Sequence, residues 1–284
     1  MKCQICESDS KQLFTRHSYW IRECKQCRHR FAEITPEACH LEQVYGNDYF
    51  EGGKAGYTDY VGESAILRAS GQRYGNILNK HTSPGSILDI GAAAGFILQG
   101  LVDTGWRGEG VEPNPKMSAY AREQLGLAVH TGSLEDYPGE QQFDVVSMIQ
   151  VIAHFYDLRQ AMTVAAERTR PGGYWLIESW NKDSWTARLF GKNWHEYSPP
   201  SVLHWFSPKG LAQLAAQFGF QEVARGRPKR WLKGHHAKSL LEYKMQESSV
   251  LRLFRPGLAL IPDNLSIPYP SEDLFWVLYK KSTH

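Results

Sequence analysis

No run of this 284-residue chain approaches the ~18 consecutive apolar residues that a membrane-spanning helix needs. The opening residues, MKCQICESDSKQ, lack the apolar core of a secretory signal, so a cytoplasmic protein is expected. Neither sign of charge dominates. Lys and Arg number 32 against 30 Asp and Glu, a formal net charge of +2. Nucleic-acid binders usually carry a large basic surplus, so nucleic acid is not an expected partner. No internal repeat or low-complexity segment interrupts the chain. Cysteine is scarce, five in all, but four of the five fall in Cys-x-x-Cys pairs. That usage points to a reducing compartment and a metal site rather than to disulfides.

The pairs are Cys3/Cys6 and Cys24/Cys27, with 17 residues between them. Each pair can present two thiolates from one tight turn, and zinc takes four such ligands in a tetrahedron. All four positions are then filled by protein, so the zinc is structural rather than catalytic. The intervening LFTRHSYWIREC is aromatic and β-branched, as a ribbon returning to the second turn would be. Cys39 lies outside the pattern and reads as an ordinary thiol. The expected organisation is a zinc-binding module over 1–40, a bridge and helix over 41–82, and a main domain over 83–284. The core of the module is expected to be separate from that of the main domain.

From Ser86 onward, strand and helix alternate. Apolar runs at 87–90, 108–112, 128–131, 143–149 and 174–178 read as strands. Helices are expected at 94–104, 115–125, 158–168 and 208–218. DLFWVLYKK, near the C-terminus, reads as a last, antiparallel strand at the sheet edge. Such alternation specifies an α/β, Rossmann-like fold with a parallel sheet, whose ligands bind at the carboxyl ends of the strands.

The first of those ends carries Asp89-Ile-Gly91-Ala-Ala-Ala-Gly95. It has no Lys-Ser/Thr ending for a nucleoside triphosphate. It also lacks the middle and third glycines that let a backbone approach a dinucleotide pyrophosphate. S-adenosylmethionine (SAM) has no phosphate and carries a sulfonium and an ammonium. A carboxylate at Asp89 attracts it, and Gly91 supplies the tight turn. Glu112 stands 21 residues after Gly91, at the end of the second strand, where a carboxylate can accept both hydrogen bonds of a ribose diol.

The segments ILDIGAAAGFIL, GWRGEGVEPNP, GSLEDYPGEQQFDVVSMIQVIAHFYDL and RTRPGGYWLIE together resemble the class I SAM-dependent methyltransferases. With the paired cysteines ahead of them, the chain is similar to members of polysaccharide, sugar and natural-product pathways that carry an N-terminal zinc module. The resemblance implies SAM as cofactor and structural Zn2+ as metal. It assigns Asp89, Gly91, Ala92, Gly95, Glu112 and Pro113 to the cofactor. Ser133 and Leu134 would flank the adenine, Gln150 would lie near the methionine end, and Tyr60 would close over the site. It also implies a substrate-binding insertion near 181–206, where Trp194, Pro199, Pro200, His204, Phe206 and Ser207 fit a recurrent pattern.

Methyl transfer asks a protein to align the acceptor and take its proton. His154, after the fourth strand, and His204, in the insertion, are the candidates for that proton. Glu178, at the end of the fifth strand, ranks below them. Gln150 and Ala153 stand where metal-dependent relatives carry other residues, so no catalytic divalent metal is expected. Basic residues around Trp231, over 225–238, read as a solvated face or as a contact for phosphate or a peripheral membrane surface. The leading expectation is methylation of a small-molecule or sugar-, nucleotide- or lipid-linked biosynthetic intermediate. Two alternatives stand beside it. One is an RNA methyltransferase whose zinc module grips RNA. The other is a catalytically silent SAM-fold partner protein.

Overall fold

The computed structural model describes residues 1–34, 61–228, 230–233, 262, 266–269 and 271–283, and only the backbone of 230–233 and 266–269. Cys39, Tyr60 and the side chains of 229–238 lie outside the described residues. Two compact units are present, Met1–Gly226 with Asp273–His284, and Arg227–Glu272. In the smaller unit, β11 (Arg230–Lys233) pairs antiparallel with β12 (Ser266–Tyr269).

The N-terminal ribbon is β1 (Ser10–Arg16), β2 (Tyr19–Cys24) and β3 (Arg30–Glu33). His17 and Ser18 join the first two with φ of 46° and 69°. Two successive positive φ values match the right-handed twist of a tight hairpin. Helix α1 (Ser64–Leu78) then leads to the main sheet. Its parallel strands are β4 (Ser86–Ile90), β5 (Arg107–Glu112), β6 (Ala128–Thr131), β7 (Phe143–Ile149) and β8 (Thr169–Trp180). Between them run α2 (Phe96–Val102), α3 (Pro115–Leu125) and α4 (Leu158–Glu167). The insertion holds α5 (Trp185–Phe190) and the two-residue β9 (His204–Trp205). Helix α6 (Pro208–Ala216), β10 (Phe220–Gly226) and β13 (Leu274–Lys281) complete the larger unit.

Local chemistry sets several boundaries. The Asn114 side chain accepts from the Lys116 and Met117 amides, and Pro115 opens α3 where its missing N–H costs nothing. Asp157 caps α4 by accepting from Gln160, and Ser207 caps α6 by accepting from Gly210. Gly126 closes α3 at φ 66°.

The sheet order is β10-β13-β8-β7-β4-β5-β6. Strand β13 is antiparallel to β8, as the sequence suggests, but it is not at the edge. Strand β10 pairs along its outer side and takes the edge. Burial explains the placement: Leu274, Phe275, Val277, Leu278 and Tyr279 are all buried, and an edge strand cannot be covered on both faces so fully. Gln221, Glu222 and Val223 of β10 are exposed to solvent instead.

Alternate residues serve opposite faces. Leu88, Val146, Trp175 and Ile177 meet α4 and α6 on one side. Ile87, Val145 and Leu176 meet α1 and α2 on the other. Helices α1 and α2 cross closely at Gly71 and Gly100, where an added Cβ would lie 2.1 Å from the Ile97 and Arg68 carbonyl oxygens respectively.

The core of the N-terminal ribbon is not separate. Cys3, Ile5, Cys24 and Phe31 pack in one cluster with Leu88, Met162, Phe206 and Leu211. Strand β9 of the insertion completes the ribbon's sheet, with Phe31 opposite His204. The expectation of independent cores is corrected: the ribbon is too small to bury its own apolar side chains, so it uses the face beside α4 and α6.

Candidate cofactor cleft and metal centre

The backbone turns away from β4 through Gly91, Ala93 and Gly95, with φ of 69°, 48° and 84°. The Gly91 and Ala92 amides both donate to the Val111 carbonyl, at 2.8 and 3.1 Å, which ties the loop to β5. Gly91 is required twice over. Its φ is left-handed, and a Cβ there would lie 2.5 Å from Cγ2 of Val151. Ala93 adopts the left-handed region without being glycine, at a cost of about 1–2 kcal/mol.

Two buried carboxylates flank this loop, Asp89 at 3% and Glu112 at 3% exposure. Oε2 of Glu112 accepts from the strained Ala93 amide at 2.9 Å, and Oε1 accepts from the Asn114 amide at 2.8 Å. Each carboxylate oxygen offers two acceptor directions, so one on each oxygen remains for a diol. Oδ1 of Asp89 accepts from the Ser147 hydroxyl at 2.6 Å. Burial raises Asp89 to about 7, with the neighbouring charge of Glu112 adding to it. Burial likewise lifts Glu112 to about 7 against the two amide bonds. The pair is thus a strong acceptor site that favours a cation.

The predicted cofactor residues divide. Asp89, Gly91, Ala92, Gly95, Glu112 and Pro113 come together around the loop. Gly132 donates to the Glu112 carbonyl and brings Ser133 beside it. The Ser133 hydroxyl donates to Asp136 at 2.8 Å. The side chain of Leu134 is turned into the core instead, so only its backbone can border a ligand. Gln150 has a φ of 60° and donates through Nε2 to Oε1 of Glu178 at 2.7 Å.

Glu178, ranked below the histidines in the sequence, has partners that the sequence does not reveal. It is 2% exposed at the end of β8, and its Oε2 accepts from the Tyr74 hydroxyl of α1. A carboxylate closing the apolar run Tyr174–Ile177 was the available signal. Nothing local shows that Tyr74 reaches it.

The two histidines behave differently from one another. His154 is half-buried after β7, and its Nδ1–H donates to the Ser201 carbonyl at 2.6 Å. Burial lowers its pKa, opposed by the Ser201 and Gln150 carbonyls, so it is neutral near pH 7. His204 is buried, with both ring nitrogens engaged. Its Nε2 lies 3.0 Å from the Phe155 carbonyl, an acceptor, so Nε2 carries the proton. Nδ1 therefore accepts from Nε2–H of His29 at 3.0 Å. Both ring nitrogens are used, and burial pushes the ring down to about 4. His204 is a buried pin between ribbon and insertion, and the expectation of a proton-accepting role for it is corrected.

Across the molecule, the sulfurs of Cys3, Cys6, Cys24 and Cys27 lie within 4.8 Å of one another. Cys3 and Cys27 are 3.6 Å apart, and Cys6 and Cys24 are 3.4 Å apart. Four ligands at the usual Zn–S length of about 2.3 Å stand about 3.8 Å from each other, so the sulfurs fit a tetrahedral ion. Backbone amides of Ile5, Gln26 and Cys27 point at Cys3 and Cys24 sulfurs at 3.4 Å, as thiolates require. Burial raises the Cys3 thiol to about 11, with the Cys24 charge adding to it. A cation joining the sulfurs would hold them as thiolates.

The methyltransferase domain family matches residues 64–224. A ubiquinone biosynthesis O-methyltransferase of Paramagnetospirillum magneticum is 30% identical over 132 residues, 44% of this chain and 50% of that protein. One of Thiobacillus denitrificans is 24% identical over 155 residues, 48% of this chain and 64% of that protein. The chain spans about half the length of the curated relatives it matches. Among solved structures, a SAM-dependent methyltransferase of Thermotoga maritima superposes with a TM-score of 0.54 at 19% identity, covering 86% of this chain and 100% of that one. The 1,6-didemethyltoxoflavin-N1-methyltransferase of Burkholderia thailandensis, with bound S-adenosylhomocysteine, gives 0.54 at 15% identity, covering 96% and 99%. At such identities the structural likeness is one of fold.

Proposed function

This chain belongs to the methyltransferase domain family, and from that premise we propose that it transfers a methyl group from SAM to a small-molecule or carrier-linked biosynthetic intermediate. The observation that carries the reading is the pair Asp89 and Glu112. They are two buried carboxylates at the ends of adjacent parallel strands, with a left-handed loop between them. That arrangement repels a pyrophosphate and suits a ligand with a ribose diol and positive charge.

When bound, SAM supplies an electrophilic methyl on a sulfonium. The residues of the chain hold and orient. Glu112 accepts from the ribose hydroxyls while it fixes the Ala93 and Asn114 amides. Asp89, held by Ser147, faces the cationic end. Gln150, Glu178 and Tyr74 lock the ends of β7 and β8 against α1, so the acceptor meets a rigid floor. His154 stands on the loop that follows β7, where burial favours its neutral form, the form in which an imidazole can take a proton. Cys3, Cys6, Cys24 and Cys27 would hold a zinc ion, and with four thiolates supplied by the protein its role would be structural.

The test is calorimetric titration with S-adenosylhomocysteine. Glu112→Ala removes charge-assisted hydrogen bonds of about 1.5–3 kcal/mol, which corresponds to roughly 10- to 100-fold weaker binding. Unchanged affinity would reject the ribose assignment and the cofactor reading with it.

A further inference from the structure

The loop that follows β7 begins at Gln150, beside the cofactor loop, and ends at Leu158, the first residue of α4. Its backbone is held from the ribbon side at successive points. Leu203 donates to the Ala153 carbonyl at 2.9 Å, and Leu203 in turn accepts from Ala32 of β3 at 2.9 Å. His204 donates to the Phe155 carbonyl. The next two contacts come from one side chain. Nε2 of Gln4 donates to the Tyr156 carbonyl at 3.3 Å, and Oε1 of Gln4 accepts from the Leu158 amide at 2.8 Å.

Gln4 lies inside the Cys3–Cys6 turn, so its backbone position is set by the same turn that presents two sulfurs. The turn itself is tied down by Gln217 at the end of α6, whose Nε2 donates to the Ile5 carbonyl at 2.7 Å. The amide of Leu158 is one of the first-turn donors that a helix cannot satisfy internally. Asp157 caps Gln160 and leaves Leu158 to Gln4. At the other end of the loop, Val151 abuts Gly91, since a Cβ on that glycine would meet it at 2.5 Å. A continuous path of contacts therefore runs from the four-cysteine centre, through Gln4 and the loop 151–158, to the cofactor turn.

We propose that Gln4 is a positioning residue that couples the four-cysteine centre to the cofactor cleft by fixing the loop between Gln150 and Leu158. The inference rests on the SAM reading of that cleft. An intact centre places Gln4. Gln4 holds Tyr156 and Leu158, and the loop then holds Val151 against Gly91. An emptied centre releases the same atoms. The isolated Cys-x-x-Cys turn has no need of a glutamine at that position, whereas a two-armed side chain of this length is what spans a carbonyl and an amide two residues apart.

Amide hydrogen exchange at Leu158 and calorimetric binding of S-adenosylhomocysteine test the coupling in the full-length, zinc-loaded protein. Gln4→Met keeps the side-chain length and removes both bonds. It is expected to retain one zinc per chain, to exchange Leu158 at least 10-fold faster, and to bind S-adenosylhomocysteine several-fold more weakly. Gln4→Glu keeps the acceptor for the Leu158 amide, so protection of that amide is expected to return toward wild type. A role in packing alone would not separate these two variants. Wild-type protein stripped of zinc by a chelator is expected to show the Leu158 exchange of Gln4→Met. Leu158 exchange unchanged in Gln4→Met, or unchanged on stripping, would overturn the proposal. Failure of the unaltered protein to bind S-adenosylhomocysteine would overturn the cofactor reading instead, a result that the exchange measurement does not share.

Discussion

Asp89 and Glu112 show how burial tunes a site for a charged ligand. Their ordinary values of 3.8 and 4.5 are raised to about 7. The folded chain therefore holds these protons more tightly than the unfolded chain. Between roughly pH 4 and pH 7 the two groups reduce stability as pH rises, and above that window they are ionised and fully costly. A bound sulfonium reverses the sign, because it favours the ionised carboxylates. SAM carries that charge and S-adenosylhomocysteine does not. The ratio of their affinities is accordingly expected to move in favour of SAM as pH rises through 7. Asp89→Asn, which can still accept from Ser147, is expected to flatten that change. Isothermal titrations with both ligands from pH 6 to 8.5 measure it, and a ratio independent of pH in the unaltered protein would refute the argument.

At the scale of elements, the crossing of α1 and α2 decides whether the cleft has a floor. Tyr74 on α1 reaches Glu178, and the same helix is set by its close approach to α2 at Gly71 and Gly100. The guanidinium of Arg68 pairs with Asp103 just past α2 and fixes the same crossing, with its Nε 2.6 Å from the carboxylate. That pair is partly exposed and contributes little on its own. The Gly100 contact involves backbone, which cannot move aside as a flexible side chain can. Gly100→Ala is therefore expected to cost about 1–3 kcal/mol, as overpacking does, and to loosen the Tyr74 contact. Urea unfolding reads the first effect, and weaker S-adenosylhomocysteine binding reads the second. A variant as stable as the parent would show that the helices separate freely.

Across the larger unit, the four-cysteine ribbon and the main sheet share one core, and the ribbon's own sheet takes in β9 from the insertion. Loss of the metal is then a loss for both. Cys24→Ser is expected to lose its zinc and to unfold in a single calorimetric transition at lower temperature. A structural zinc supplies several kcal/mol, and each 1 kcal/mol shifts the midpoint by about 2–4 °C in domains of this size, so the fall is expected to be roughly 10 °C. Two separate transitions, with the upper one at the parent temperature, would show the cores to be independent after all. No helix among the described residues is long and apolar enough to cross a membrane.

The strands β4 to β7, helix α3 and the spacing of the cysteines were legible in the chain itself. Each rests on a local rule: two-residue alternation or an unbroken apolar run for strands, an Asn-Pro start for α3, and one turn per thiolate pair. The turn after β4 was legible for the same reason, since Asp89, Gly91 and Gly95 sit within seven residues and Glu112 ends the next strand. Strand β8 is longer than its apolar run suggests: Arg170, Pro171, Gly172 and Gly173 look like a turn, but Thr169 pairs with Phe143 at one end, and Ser179 and Trp180 pair with β13 at the other. The tertiary structure alone decided what depends on distant partners. Tyr74 and Glu178 are 104 positions apart, Gln4 and Leu158 are 154 apart, and His29 and His204 are 175 apart. No periodicity encodes such meetings. They follow from which face each element buries, and that choice turned a histidine expected at the chemistry into a buried pin.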